Sequence, residues 1–438
     1  MRAGLFSRFR QSEEGAALLI FTLALFIVIG GIAFAIDVSR FFAAKSRLAL
    51  ATEMASVAAA KNLHFLEASA LAQLTTDVVR ANFGGGNLLS YESDAPALPM
   101  VSLTPDMESG EVTVESSVTV PTTLLRALNF LDDVTVSARI TARQEMPEAE
   151  LVLILEASDA IENSGRLAEV RAAATTFISA MEAQVPQTDG IRWGLVPFGN
   201  AMVNIAPHSD WTATGSWPMS LPPLIPGTTE WIGPLAEDRW CVAPRAGAPG
   251  EDDTPPGIAP FPLVLSLSSE IDVLTGLPHF TNITTDECRP ERVLPLGEAA
   301  ALLTGINTLG GNGDAAYGRA TLWAERLLSP QWQGLWTGDN TIPAAYDDTA
   351  IEKIALLLVS SAASDMTENT RLADTCARMK ENGIRLYIID YLAPETTSSI
   401  LQSCASTTGH YFAVTDATGL SNAVLSIARF LTIVRFPG

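Results

Sequence analysis

The stretch Glu148-Ala149-Glu150-Leu151-Val152-Leu153-Ile154-Leu155-Glu156-Ala157-Ser158-Asp159-Ala160 decides the fold. Its middle, Leu151 to Leu155, is an unbroken apolar run. A strand with one face in water alternates polar and apolar residues; a strand covered on both faces does not. The same unbroken character returns in Ile354-Ala355-Leu356-Leu357-Leu358-Val359 and in Leu386-Tyr387-Ile388-Ile389. Helical patterns lie between these runs. Leu167, Val170, Ala174, Phe177, Ile178 and Met181 share one face, and Leu420, Val424, Ile427 and Leu431 share another. Trp193 to Phe198 and Tyr411 to Val414 add shorter strands. Covered strands alternating with helices predict an α/β domain, doubly wound about a parallel sheet, over residues 147–438.

In such a sheet ligands sit at the carboxyl ends of the strands. Leu155 runs straight into Glu156-Ala157-Ser158-Asp159-Ala160, so this is where a site belongs; Glu156 or Asp159 can equally cap the helix that comes next. Enzyme chemistry has little to work with. The histidines are His64, His208, His279 and His410, and none stands in an HExxH or beside a Gly-x-Ser-x-Gly elbow. Gly310-Gly311-Asn312-Gly313 lacks the Lys-Ser/Thr that makes a glycine loop hold phosphates. No catalytic residue and no cofactor are expected.

Residues 207–295 break the pattern. They hold 15 of the 26 prolines and four of the eight tryptophans, Trp211, Trp217, Trp231 and Trp240. A segment this rich in proline is expected to be neither regular helix nor sheet. It reads as an insertion on one rim of the sheet. Either it is a solvated loop, or the four tryptophans form a partner-binding surface. The cysteines are Cys241, Cys288, Cys376 and Cys404, with no CxxC or Cys/His cluster to suggest zinc. An even, widely spaced set suits two disulfides in an oxidising compartment better than four buried thiols. The expected pairs are Cys241–Cys288, pinning the insertion, and Cys376–Cys404.

Upstream, Gly15 to Ile36 is 22 residues without a charge. As a helix it spans roughly 33 Å, enough to cross a bilayer. A cleaved secretory signal is the alternative, and Ala33-Phe34-Ala35 has the small-x-small form. The stretch is longer than a signal core, and helical patterning continues through Ala60, which favours an uncleaved anchor. Arginines and lysines nearly balance on its two sides, so the cysteines fix the orientation: residues 1–14 cytoplasmic, 15–36 transmembrane, the bulk periplasmic. Residues 37–83 read as helix, stopped by Gly84-Gly85-Gly86. Val112 to Val120 and Val134 to Ile140 alternate as half-buried strands about a short helix at Leu124–Phe130. Residues 37–146 are thus a small α+β stem.

The whole chain is 438 residues and 46.6 kDa, with 27 basic against 49 acidic residues and a net charge of −22. That balance excludes nucleic acid as a partner, since phosphate contact needs clustered Lys and Arg. Only 17% of residues are charged, which suits a chain with a lipid-facing segment.

The strand end at Glu156 resembles the von Willebrand factor A family, which places Asp-x-Ser-x-Ser there to hold Mg²⁺ or Mn²⁺. Here Glu156 stands for the Asp, Ser158 is kept, and Ala160 replaces the second Ser. The family's Thr falls near Asp314 to Ala316, where there is none, and its later Asp falls at Ser360-Ser361. Six oxygen ligands are needed, so the resemblance implies a vestigial site of Glu156, Ser158, Ala160 and Ser360 without metal. Arg8-Phe9-Arg10, Glu13-Glu14-Gly15-Ala16-Ala17, Ile36-Asp37-Val38-Ser39-Arg40 and Ala58-Ala59-Ala60 are similar to the N-terminal segment of TadG-type proteins of the Flp/Tad pilus assembly system. Ser403-Cys404-Ala405-Ser406 with Gly409-His410-Tyr411-Phe412 continues the likeness. Prepilin-like members carry Glu five residues after the processing Gly; Ile20 takes that place after Gly15 here, so the chain is not expected to be processed as a pilin. The resemblance implies a non-enzymatic inner-membrane component that binds other pilus-assembly membrane proteins and the lipid bilayer. The alternative it leaves is a surface adhesin with a metal-dependent ligand site. An envelope hydrolase lacks its nucleophile and base.

Overall fold

The computed structural model describes residues 13–84, 98–122, 124–127, 132–183, 190–200, 202–213, 240–262, 266–271, 278–284 and 291–436. The chain divides into two compact units, Met1–Glu145 with Ile433–Gly438, and Met146–Thr432.

The first unit is built on α1 (Glu13–Asn62), about 75 Å long. Its first half exposes Leu18, Leu19, Ile20, Phe21, Phe26 and Ile27, and is long and apolar enough to cross a membrane. Its second half is amphipathic: Ala44, Leu48, Ala51, Ala55 and Ala59 are buried on one stripe, where small side chains let a sheet approach closely. Helix α2 (Ala68–Phe83) buries Leu71, Thr75, Val79 and Phe83 at every fourth residue. The sheet is antiparallel. β1 (Met100–Asp106) pairs with β2 (Glu111–Pro121), which leads through α3 (Leu124–Ala127) to β3 (Asp133–Glu145). Along β2, Val112, Val114, Ser116, Val118 and Val120 turn inward with period two. The Ser116 and Thr52 hydroxyls meet at 2.5 Å and tie β2 to α1.

One strand here goes beyond the sequence reading, and one boundary corrects it. β1 is an edge strand with Pro105 in it, a composition that reads as a loop until its neighbour is known. The fourth strand of this sheet is Ile433–Arg435, which pairs with β3 through Ile433↔Glu145 and Arg435↔Arg143. The α/β body therefore ends at Thr432 rather than running to 438. Three residues carry no period of their own; only β3 makes them a strand.

The second unit has a six-stranded sheet. β4 (Glu148–Glu156) is followed by α4 (Asp159–Asn163), α5 (Leu167–Glu182) and β5 (Ile191–Phe198). β6 (Leu294–Gly297), α6 (Ala299–Asn307) and α7 (Tyr317–Leu328) come next. β7 (Ile351–Val359), α8 (Met366–Glu381), β8 (Arg385–Tyr391), α9 (Glu395–Cys404), β9 (Tyr411–Val414) and α10 (Ala417–Leu431) complete it. The order is β6-β5-β4-β7-β8-β9, parallel except for β6 at one edge. This is the doubly wound arrangement with an antiparallel edge. α5 and α10 pack together, as do α7 and α8. Helix α7 is buried along its whole length, its polar residues Arg319, Thr321, Glu325 and Arg326 included. Two of its charged side chains are engaged: Glu325 binds Arg378 at 2.7 Å, and Arg326 donates to the Asp252 carbonyl at 2.9 Å while stacking on Trp323.

The insertion is partly regular. Ser266–Ile271 and Pro278–Thr284 form an antiparallel hairpin, contrary to the expectation of no sheet. No proline lies between residues 263 and 277, and Pro278 takes the first strand position, where its missing N–H does least harm. Cys376 on α8 is bonded to Cys404 at the end of α9 across a Cα–Cα distance of 5.3 Å. Cys241 is disulfide-bonded; Cys288 lies outside the described residues.

Candidate functional site

The strand order reverses between β4 and β7, so the crevice at their carboxyl ends is the topological switch point. Glu156 ends β4 there, fully buried. Its carboxylate is divided between two jobs. Oε1 accepts the Ser158 hydroxyl at 2.6 Å, and Oε2 accepts the Ser360 backbone N–H at 2.5 Å. The side chain thus bridges the end of β4 to the end of β7. Ser158 in turn caps α4, its Oγ accepting the Ile161 N–H.

A glycine-rich loop closes over this bridge. Asn312 N–H donates to the Ala157 carbonyl at 3.0 Å, Asp159 N–H to Gly313 at 2.9 Å, and Ala316 N–H to Gly199 at 2.8 Å. Gly311 N–H reaches Glu162 Oε2 at 3.2 Å, and Asn200 donates to Asn312 at 3.2 Å. Two glycines make the approach possible. A Cβ on Gly199 would stand 1.8 Å from the Asn312 carbonyl oxygen, and one on Gly311 would stand 2.3 Å from the Glu162 Cβ. In sequence the Gly310–Gly313 run reads only as a failed phosphate loop. Its use here is to let backbone lie on backbone.

Of the four vestigial-site positions, the structure brings Glu156, Ser158 and Ser360 together. Ala160, on α4, has no side-chain oxygen to give. Asp314 is exposed, and Ser360 Oγ is buried without a hydrogen-bond partner among the described residues. The donor set does not fit an octahedral divalent cation: the carboxylate and the Ser158 hydroxyl are already engaged with protein partners, and one orphaned hydroxyl cannot replace them. Among the described residues no group of three or more His, Cys, Asp or Glu gathers to hold a metal.

Three tyrosines of this unit are tied to polar side chains. Tyr317 donates to Asn369, and burial raises its pKa. Tyr391 donates to Glu169; burial, then that carboxylate, pushes its pKa up to about 12. Tyr411 donates to Asp390 at 2.7 Å and is likewise raised to about 12, again first by burial. Each of these phenols donates to a fixed side-chain partner.

Among the described tryptophans of the insertion, Trp211 lies in the core rather than on a partner surface. Trp211 is 4% exposed and packs edge-on to Trp332 and Trp336. It is a core residue, because the adjoining chain folds back onto β5 and α7 and needs an apolar filler there. Trp240 is half-buried against the same core. Trp217 and Trp231 lie outside the described residues. At the opposite pole, Glu150 and Lys353 form a buried ion pair at 2.5 Å between β4 and β7, with Ala344 N–H also on Glu150 at 2.7 Å. Charges embedded beside apolar runs were the available sequence signal for it.

No family model matches this sequence, and no curated protein does either. Among solved structures, proximal thread matrix protein 1 from the mussel byssus is similar at 10% identity and a TM-score of 0.33, covering 67% of this chain and 50% of that one. A von Willebrand factor type A protein from Catenulispora acidiphila gives 12% identity and 0.31, covering 78% and 51%. The pilus adhesin SpaC from Lactobacillus rhamnosus GG gives 8% and 0.37, covering 76% and 34%. The chain spans about half the length of these structures or less. Likeness this slight carries no argument, so function has to be argued from the chain's own residues.

Proposed function

We propose that this chain is a non-enzymatic, single-pass component of Flp/Tad pilus assembly in the bacterial inner membrane. Its body has a von Willebrand A-like form and works in the periplasm by binding other pilus-assembly proteins, without metal. The observation that carries the reading is the division of α1: an exposed apolar half, continuous with a half that forms the core of a folded stem. A cleavable signal has no reason to be one rigid piece with the stem. The resemblance of residues 8–60 and 403–412 to TadG-type proteins supports the pilus context, and the engaged oxygens of Glu156 support binding over chemistry.

Gly30 and Gly31 have no heavy atom within 4 Å of where a Cβ would stand, so they offer close approach to a neighbouring membrane helix. Gly30→Leu with Gly31→Leu is expected to lower co-purification with other pilus membrane components from native membranes while leaving the stem folded. Unchanged co-purification would count against this helix as the contact. The rival, a metal-dependent adhesin, has the orphaned Ser360 hydroxyl in its favour. Calorimetric titration of the full chain with Mg²⁺, Mn²⁺ and Ca²⁺ separates the two: no stoichiometric heat is expected, and clear binding would establish the rival.

A further inference from the structure

We propose that helix α3 is a second membrane contact, seated in the lipid headgroup layer beside the point where α1 leaves the bilayer; this rests on the anchor proposed for α1. Asp37 is the first charge after the 22 uncharged residues, and it is only 1% exposed. Its Oδ2 accepts the backbone N–H of Leu125 in α3 at 2.8 Å. Ala33, one turn earlier and inside the uncharged stretch, is 3% exposed, while Ile32, Phe34 and Ile36 around it are exposed. Ala33 lies one turn before Asp37 on the same face of α1, and α3 packs on this helix. The folded stem therefore reaches back past the end of the span.

The direction of β2 agrees. Thr52 meets Ser116 and Asp37 meets Leu125, so β2 runs antiparallel to α1 and delivers α3 toward the membrane end. A 22-residue helix spans roughly 33 Å against a hydrocarbon core of about 30 Å. Ile36 then lies at the edge of the hydrocarbon, and Asp37 with α3 lies within the next 5–7 Å or so, the depth of the headgroups. The composition suits that layer. α3 reads Leu124-Leu125-Arg126-Ala127; the Arg126 side chain is 60% exposed and stands 4.0 Å from the exposed Asp132, a loose surface pair from which the guanidinium can also meet lipid phosphate.

The test uses the full chain in vesicles of phosphatidylethanolamine and phosphatidylglycerol. A fluorophore is placed on a single new cysteine in Arg126→Cys, Ile27→Cys or Met107→Cys, with quenching by lipids carrying a nitroxide on the headgroup or deep in the acyl chain. Met107 is exposed and lies beyond the far end of β2, about 34 Å of strand away. Position 126 is expected to lose most of its fluorescence to the headgroup nitroxide, position 27 to the deep one, and position 107 to neither. Quenching at 27 without quenching at 126 overturns the proposal and leaves the anchor standing. No quenching at 27 overturns both.

Discussion

Replacing Glu156 by Ala removes a side chain that joins the ends of β4 and β7 at the switch point. The Ser158 hydroxyl and the Ser360 N–H then face a dry cavity without an acceptor, at a cost of roughly 1–3 kcal/mol each. Glu156→Ala is expected to lower the unfolding free energy by that amount in urea titrations, equally with and without Mg²⁺. A loss that appears only in the presence of Mg²⁺ would mean the carboxylate holds a cation after all. His208 gives a pH dependence. It is stacked on Trp211 at 3.9 Å between centroids, and its pKa lies below 6.5, chiefly through burial, with Arg292 adding and Asp210 opposing. The unfolded chain therefore binds the proton more readily, so stability is lost as pH falls through about 6.5 toward the folded value. His64 and His410 are shifted the same way by burial. Chemical denaturation near pH 7 and about pH 5 is expected to show a smaller acid loss in His208→Phe than in the unaltered chain; equal losses would remove His208 from the account. At this scale the sequence marks Glu156 and Ser158 as the place to look. It cannot mark Gly199 or Asn312, whose roles exist only because two backbones 113 residues apart in the chain touch.

Elements are legible in proportion to their period. The unbroken apolar runs are β4, β7 and β8, and the one-sided helices are α5 and α10. The full burial of α7 is not legible, because Arg319, Glu325 and Arg326 look like a solvent face until their buried surroundings are known, and β1 is not legible because an edge strand tolerates residues that look like loop. The expectation of an irregular insertion fails where the prolines thin out, at the 266–284 hairpin. α8 and α9 are held by Cys376–Cys404, which closes a loop of 28 residues. Cys376→Ser with Cys404→Ser is expected to cost about 3–4 kcal/mol in the body's unfolding free energy. Mass spectrometry of unreduced peptides, on protein exported by its native route, is expected to recover the pair linked; free thiols at both positions would argue for a reducing compartment and against a periplasmic body.

Across the whole molecule the charge is unevenly divided. The first fifty residues carry +3 and the remaining 388 carry −25. A basic, greasy segment suits a membrane and its anionic lipids, and an acidic body stays soluble and repels anionic partners. The return of residues 433–435 to the stem's sheet has a consequence for biogenesis. Glu145 and its partner Ile433 are separated by 288 residues, a delay of roughly 15–60 s at ordinary rates of synthesis. During that time the stem waits with β3 as an open edge, and the body must be made before its fourth strand exists. The sheet is completed only after the full α/β body has been synthesised, so a chain stalled or clipped within the body carries an unfinished stem, with a bare strand edge open to proteases or to another copy.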